Sequence, residues 1–177
     1  MNMTRAAFII SLVLLMALGA HLEAKAQSKG SPPVIDFSWA QDKIRQRDDW
    51  RIYISATDPD GDMNKIYFTV DQEGGGDYRP DISNVKKGME GKMTGYFVLR
   101  TNSPQDLHNL SLTLSVIISD RGGNESKPVT FPLTIDGERM KPLPPDRTPS
   151  DLAKELDRRL GYIGIELMRR SGMGGGD

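Results

Sequence analysis

The stretch Arg51–Val70, RIYISATDPDGDMNKIYFTV, decides the fold of this chain. Apolar side chains occupy every second position on both sides of its centre: Ile52, Ile54 and Ala56 before it, and Ile66, Phe68 and Val70 after it. A period of two is typical of a β-strand with one buried face. The centre, Asp58–Asp62 (DPDGD), combines Pro, Gly and Asp, which favour tight turns. Because two strands cannot bury their apolar faces alone, the stretch predicts two strands of a larger, two-layer fold.

The same alternation recurs before and after this stretch. It predicts four more strands: Val34–Trp39, Lys92–Thr101, Leu110–Ile118 and Val129–Ile135. The row Leu110–Ile118 is the longest of them and is expected to be a central strand. The segment Asp71–Asn84 is rich in Gly, Asp and Pro, so we expect a long loop there that crosses between two sheets. Short strands separated by turn-rich segments indicate a mainly-β protein, an antiparallel β-sandwich.

Two segments carry a resemblance to a known group of domains. Ala56–Asp62 (ATDPDGD) and the strand after it resemble the B and C strands of secreted bacterial immunoglobulin-like domains, a group that shades into fibronectin type III and cadherin-like modules. Ser115–Ser126 (SVIISDRGGNES) is similar to the F strand and F–G turn of that group. The resemblance covers roughly Pro32–Ile135 and implies an immunoglobulin-like β-sandwich over residues 32–136. It implies no single function, because this sandwich serves many unrelated roles.

The amino-terminal residues have the pattern of a secretory signal peptide. Arg5 precedes the apolar run Ala6–Ala20, and Ala24 and Ala26 offer small side chains at the positions that a signal peptidase reads. We therefore expect a signal peptide over residues 1–26 and a periplasmic or secreted protein. The alternative is an uncleaved membrane anchor, but the run is shorter than the roughly 20 residues that a spanning helix needs. The mature form is thus expected not to span a membrane.

The composition changes after the last predicted strand. Residues 137–149 are predicted to form a Pro-rich linker, residues 150–170 an amphipathic helix and residues 171–177 a disordered tail. The helix would carry one apolar stripe: Leu152, Leu156, Leu160, Ile163 and Leu167. Two interpretations remain open for this stripe. It folds back over an open sheet face of its own domain, or it is presented to a protein partner as a helix in a groove.

The composition excludes several classes of function. The chain has no Cys, so neither disulfides nor a thiol nucleophile nor a Cys-ligated metal can operate. It carries 23 Lys and Arg against 24 Asp and Glu, which gives no electrostatic argument for nucleic-acid binding. His108 would be the only His left after removal of the signal peptide, and it lies in a polar segment. We therefore predict no catalytic residues and no enzymatic activity.

The acidic turn is a second candidate for a binding site, beside the C-terminal stripe. In an immunoglobulin-like sandwich the B–C and F–G turns lie at the same end, so five oxygen-bearing residues are expected to meet there: Asp58, Asp60, Asp62, Asp120 and Asn124. Calcium prefers several oxygen ligands of this kind, and cadherin-like relatives use acidic loops to bind it. The alternative is that the carboxylates cap their own turns and pair with Arg121. Calcium is the only cofactor that the sequence suggests.

These observations lead to an expected function in general terms. We expect an exported, non-enzymatic binding or structural module of the cell envelope. Its partner would be another envelope or extracellular protein, engaged through the sandwich or the C-terminal helix. The alternative function is a calcium-dependent adhesion or carbohydrate-binding domain.

Overall fold

A computed structural model describes residues 30–72, 78–103, 106–136 and 150–168. These residues form nine strands and one short helix: β1 (Val34–Ala40), β2 (Lys43–Ile44), β3 (Asp49–Thr57), β4 (Met63–Gln72), β5 (Asp81–Asn84), β6 (Lys92–Arg100), β7 (Leu110–Asp120), β8 (Val129–Ile135), α1 (Ser150–Leu156) and β9 (Arg159–Ile163). The predicted signal peptide (1–26), the linker (137–149) and the tail (171–177) lie outside this description. Within it, no helix is long and apolar enough to cross a membrane.

The strands form two sheets. One sheet has four strands in the order β1–β3–β6–β9, and the other has five in the order β2–β8–β7–β4–β5. Neighbouring strands are antiparallel, except that β2 runs parallel to β8 and β9 runs parallel to β6. The prediction of a mainly-β, two-sheet protein is therefore confirmed, and β7 has the central position expected of Leu110–Ile118.

The core lies between the two sheets. The inward side chains of β3, among them Trp50, Ile52 and Ile54, are completely buried, and β7 contributes Leu114 and Val116 opposite them. This arrangement follows from the period of two, since every second side chain points between the sheets. The acidic turn Asp58–Asp62 connects β3 in one sheet to β4 in the other.

The predicted crossing loop Asp71–Asn84 is wrong at both ends. Strand β4 continues to Gln72, and β5 pairs with it through Lys65–Phe68 in the same sheet. Strand β5 has only four residues, and Ile82 within it is half exposed. Such a short strand presents no alternating pattern long enough to be distinguished from a loop. The connection that leads from this sheet to the four-stranded sheet comes after β5, between β5 and β6.

The prediction of one helix over residues 150–170 does not hold beyond Leu156. The helix α1 ends there, and β9 follows as a parallel strand on the edge of β6. Gly161 and Gly164 each weaken a helix by about 1 kcal/mol relative to Ala. Pairing with β6 instead satisfies the backbone and buries alternate residues through the end of the segment: Ile163, Ile165 and Leu167. We call residues 150–168 the C-terminal segment.

The C-terminal segment fits against β6 because residue 95 is Gly. Gly95 has a φ of +154°, and a Cβ at this position would overlap the carbonyl oxygen of Arg158 and lie 2.8 Å from Cγ of Leu160. The amide of Tyr96 donates a hydrogen bond to the same Arg158 oxygen over 2.9 Å. A side chain at position 95 would therefore displace the strand that closes this edge of the sheet.

The far end of the C-terminal segment reaches the other sheet. The amide of Gly164 donates to Oδ2 of Asp81, which begins β5, over 2.9 Å. The amide of Met168 donates to the hydroxyl of Tyr78 over 3.0 Å. These contacts close the sandwich along a line that we call the seam, between residues 78–82 and residues 164–168.

Candidate functional site

The two predicted turns lie side by side at one end of the sandwich. Residue Met63 at the start of β4 pairs with Asp120 at the end of β7. The amide of Arg121 donates a hydrogen bond to the carbonyl oxygen of Asp62 over 3.1 Å. The turn after β3 and the turn after β7 are thus tied together by the main chain, as expected from the sequence.

Three carboxylates converge between these turns. One oxygen each of Asp58, Asp62 and Asp120 lies within 4.8 Å of the other two. Asp58 and Asp120 are only 6% and 4% exposed, and Asp62 is half-buried. We call these residues the acidic triad. Aspartates are rarely buried so deeply unless they are paired with a cation or coordinate a metal.

Local hydrogen bonds hold the triad in place but do not satisfy it. Oδ1 of Asp58 accepts from the amide of Asp60 over 2.9 Å. Asn124 donates two hydrogen bonds to Asp120, from its main-chain amide to Oδ1 (2.7 Å) and from its side-chain Nδ2 to Oδ2 (2.6 Å). Two buried oxygens, Oδ2 of Asp58 and Oδ1 of Asp62, receive no hydrogen bond from any described residue. Leaving a buried acceptor without a partner destabilises a fold, and the loss is larger when the acceptor is charged.

The electrostatics of the triad favour the uptake of positive charge. Desolvation, followed by the negative charges of Asp120 and Asp58, raises the pKa of Asp62 above its usual 3.8. Hydrogen bonding of protonated Asp62 to the Asp58 side chain and the negative charge of Asp60 contribute to the same raised pKa of Asp62. A bound cation would satisfy the two unpaired oxygens of Asp58 and Asp62 without a proton.

No described side chain provides that positive charge. Of the alternative interpretation, the hydrogen bonds by which the carboxylates cap their own turns are present. The pairing with Arg121 is not, and the guanidinium of Arg121 lies 3.9 Å from Glu90. None of the salt bridges among the described residues includes a member of the acidic triad.

The other two residues of the predicted calcium set have different roles. Oδ2 of Asp60 accepts a hydrogen bond from the amide of Ser31 over 2.5 Å and so points to residues 30–33, which precede β1 and which we call the leader. Gly30 packs against the same carboxylate, since a Cβ there would lie 2.6 Å from this oxygen. Asn124 is buried and orients Asp120. Asp60 and Asn124 therefore position the leader and the triad.

The spacing of the triad matches the size of a calcium ion. Calcium binds oxygen at about 2.3–2.6 Å, so two ligands on opposite sides of the ion are roughly 5 Å apart. The triad oxygens, all within 4.8 Å of one another, fit in one such sphere. Magnesium binds oxygen at about 2.0–2.1 Å in a strict octahedron and usually keeps several waters, so a site with three carboxylates favours calcium. Water or main-chain oxygens would have to fill the remaining positions.

The predicted partner-binding stripe lies within its own domain. Four of its members, Leu156, Leu160, Ile163 and Leu167, are at most 5% exposed, and Leu152 is half-buried. Of the two interpretations of the stripe, the structure thus has the one in which the segment folds back. His108 lies exposed in a turn, where its amide donates to Oδ1 of Asp106 over 3.0 Å.

The outer face of the four-stranded sheet carries aromatic side chains that sequence reasoning did not single out. The rings of Trp39 and Tyr53 lie 5.6 Å apart, and those of Tyr53 and Tyr96 lie 5.5 Å apart. The guanidinium of Arg51 lies 4.8 Å from the centre of the Tyr96 ring. In sequence these residues are the outward members of alternating strands, and only their cross-strand register brings them together.

A second cluster continues this face onto β9. Arg100 and Arg159 lie 4.3 Å and 4.8 Å from the centre of the Tyr162 ring, which is 42% exposed. Arg159 also donates to the Tyr162 hydroxyl over 2.6 Å. Beside Arg100 and Tyr162 lies a cleft of about 400 Å³, and its other lining residues are Asn102, Ser103 and 163–167. This cluster was missed because β9 was expected to be helical, which separates Tyr162 from β6.

No protein-family model matches the chain, and no curated protein matches it.

Proposed function

We propose that this chain is an exported, non-enzymatic binding module built on an immunoglobulin-like β-sandwich, and that calcium bound by the acidic triad organises one end of it. The single observation that carries the calcium proposal is the pair of buried, unsatisfied oxygens on Asp58 and Asp62. Together with Asp120 they concentrate three carboxylates in the space of one ion. A divalent cation would neutralise this charge and supply both missing partners.

The strand order supports the immunoglobulin-like assignment. In such domains strands A, B, E and D form one sheet and C, F and G the other. Naming β1, β3 and β6 as A, B and E, and β4, β7 and β8 as C, F and G, gives the same grouping. One departure is the position beside E, which β9 fills from the C-terminal segment, running parallel to β6. The other sheet has two additional edge strands, β2 beside β8 and β5 beside β4.

The location of the site supports a role in binding. Calcium would tie the turn after β3 to the turn after β7, and through Asp60 the ordered end would extend to the leader at Ser31. Rigid loops at one end of a sandwich are a common place for recognition. The expected alternative function, calcium-dependent adhesion or carbohydrate binding, is therefore the one that the geometry favours.

Calcium titration of the full chain, as processed by a secreting host, tests this proposal. We expect millimolar calcium to raise the melting temperature relative to chelator, and magnesium to raise it less. Asp58→Asn should abolish the calcium effect. Asp71→Asn, which removes an exposed carboxylate at the far end of β4, is the matched control and should keep it. An unchanged melting temperature in calcium and in chelator would refute the proposal.

A protein partner is the second candidate, and exposed apolar residues at the seam favour it. Ile82 and Met168 are 53% and 48% exposed. Ile82 follows Asp81, which accepts one of the hydrogen bonds that close the seam, and the amide of Met168 donates another. Because the C-terminal stripe is buried, a partner would dock on the sandwich. Photo-crosslinking in cells from position 82 should capture one discrete partner, whereas the exposed Thr69 in β4 should capture none. Equal labelling from both positions would contradict this proposal.

Export has its own test. Amino-terminal sequencing of the purified protein should begin at Gln27, after cleavage behind Ala26. Retention of the segment 1–26 would instead support the uncleaved anchor.

A further inference from the structure

We propose that the arginine–tyrosine face of the four-stranded sheet (Arg51, Tyr96, Arg100, Arg159 and Tyr162), together with the adjoining cleft, binds an acidic saccharide through its carboxylate. This inference names the ligand class of the proposed binding module and rests on that role, but not on calcium.

Cross-strand register creates this face. Tyr96 on β6 is level with Arg159 on β9, and Val98 on β6 is level with both Arg51 on β3 and Tyr162 on β9. Side chains that are far apart in sequence therefore project from three adjacent strands on the same side of the sheet. The result is a surface of guanidinium groups lying over tyrosine rings.

The guanidinium groups of this face form no salt bridges within the described structure. None of Arg51, Arg100 and Arg159 lies within ion-pair distance of a described carboxylate. Stacking on an aromatic ring restrains a guanidinium while leaving its N–H edge able to donate. A planar fork of this kind matches a carboxylate, with two parallel hydrogen bonds. Arg51 differs in part, because the Tyr53 side chain and the negative charge of Asp157 both raise the pKa of its guanidinium. Arg100 and Arg159 are thus the groups of this face that are preorganised for an anion from outside the described structure.

The cleft extends this site into a pocket of suitable size. Pairing between β6 and β9 ends at Leu99 and Ile163, and the two chains then separate. Arg100, Asn102 and Ser103 line the cleft from the end of β6 onward, and residues 162–167 line it from the end of β9 onward. Its volume of about 400 Å³ lies within the range of small-ligand pockets, roughly 300–1,000 Å³. Amide and hydroxyl groups of this kind pair with sugar hydroxyls.

The charge balance of the cleft favours a sugar acid over a dense polyanion. Glu166 also lines the cleft and forms no salt bridge with a described residue. Its negative charge opposes phosphate-rich ligands, which place several charges in a short length. A uronic acid carries a single carboxylate per ring and hydroxyl groups on other ring carbons, so its carboxylate can meet Arg100 while its hydroxyl groups face Asn102 and Ser103.

Calorimetric titration with tetragalacturonate tests the proposal directly, with maltotetraose as the neutral ligand of equal length. We expect tetragalacturonate to bind at least tenfold more tightly, and its affinity to fall with added salt. Each titration is run in calcium and in chelator. Binding in both, combined with an unchanged melting temperature, would refute the calcium site alone. A melting temperature that rises with calcium, together with no saccharide binding, would refute this inference alone.

Three substitutions separate recognition by the cleft from general charge attraction. Arg100→Gln should weaken tetragalacturonate binding about tenfold, the loss expected for a charge-assisted hydrogen bond. Glu166→Gln should strengthen it about two- to threefold. Lys65→Gln removes an equal charge from the exposed surface of the other sheet and should have no effect. Melting curves of all three variants verify that each is folded.

Several outcomes would overturn the inference. They are no binding at millimolar tetragalacturonate, equal binding of the neutral ligand, and equal losses in Arg100→Gln and Lys65→Gln. Tighter binding of single-stranded DNA or of anionic lipid vesicles than of tetragalacturonate would show that the face recognises a different polyanion, which also contradicts the proposal.

Discussion

Replacing Gly95 by Ala tests how firmly the C-terminal segment belongs to the sandwich. The structure places the Arg158 carbonyl and the Leu160 side chain in the space that the new Cβ would occupy. The backbone there also has a φ of +154°, which L side chains rarely adopt. Both effects act in the folded state, so we expect the variant to be clearly less stable than the parent.

The magnitude follows from two contributions. Backbone strain at positive φ costs about 1–2 kcal/mol for a residue other than Gly. Insertion of a methyl group into a filled space costs about 1–3 kcal/mol more. We therefore expect the free energy of unfolding to fall by roughly 2–5 kcal/mol. Complete undocking would expose several large apolar side chains at about 1.5–3 kcal/mol each, which is more costly than strain, so the segment should stay docked but loosened.

The assay combines urea unfolding with hydrogen exchange. Gly88→Ala is the matched control, because Gly88 has a φ of +85° but a Cβ added there would meet no atom within 4 Å. The Gly88→Ala control therefore measures the cost of backbone strain without steric overlap of the new Cβ. The loss of unfolding free energy in Gly95→Ala should exceed the loss in Gly88→Ala by about 1–3 kcal/mol. The amides of residues 159–163 should exchange faster than in the parent only in Gly95→Ala. Equal destabilisation by the two substitutions, or unchanged exchange over 159–163, would refute the close packing of β9 on β6.

Three further predictions concern the acidic end and the core. In chelator at neutral pH, Asp62→Asn should be more stable than the parent: the raised pKa of Asp62 means that its contribution is favourable below 3.8 and is lost as pH rises through the folded pKa. In calcium the parent should be the more stable of the two. Melting curves from pH 3 to 7 check this prediction, and a variant that is less stable than the parent both in chelator and in calcium would contradict the argument. Glu90→Gln should have the opposite pH dependence. Hydrogen bonds from the main chain, including the Gly88 amide at 2.6 Å, lower the pKa of Glu90 below 4.5, so the variant should be less stable at pH 7 and the difference should vanish as pH falls through the folded pKa. Phe68→Ala should lower the free energy of unfolding by about 3–5 kcal/mol in urea titrations, because Phe68 is completely buried and its ring contacts Phe97 edge-on at 5.0 Å; a loss under about 1 kcal/mol would argue against this core.

The sequence predicted the long strands because a single physical cause dominates there. In β4 and β7 one face is buried, and the resulting alternation extends over ten and eleven residues. Strand β3 has the same alternation in sequence, although Tyr53 and Ser55 on its other face are buried as well. The meeting of Asp58, Asp62 and Asp120 followed from the resemblance alone, since it depends on which strands are neighbours. Local pattern could not have shown that Asp60 turns to Ser31 instead.

The C-terminal segment shows why the remaining elements were not predicted. Leu156, Leu160, Ile163 and Leu167 are spaced as on a helix, but the shorter period of Ile163, Ile165 and Leu167 in the same residues is the one that the fold uses. A local pattern that fits both periods is decided by tertiary contacts. Here the free edge of β6 and the space above Gly95 favour a strand.

The two proposed sites should act independently because β3 and β6 hold them at opposite ends. Arg51 lies near the start of β3 and Asp58 just after its end, so a strand rise of about 3.3 Å per residue separates them by roughly 23 Å. Arg100 lies at the same end as Arg51, since Asp49 pairs with Arg100. This distance is more than twice the Debye length of about 8 Å at physiological salt, so direct charge coupling is screened. Calcium should therefore leave the affinity for tetragalacturonate unchanged, and the effects of Asp58→Asn and Arg100→Gln should add in the double variant. A calcium-dependent affinity would instead require a conformational change transmitted along β3 and β6, which hydrogen exchange of these two strands would reveal.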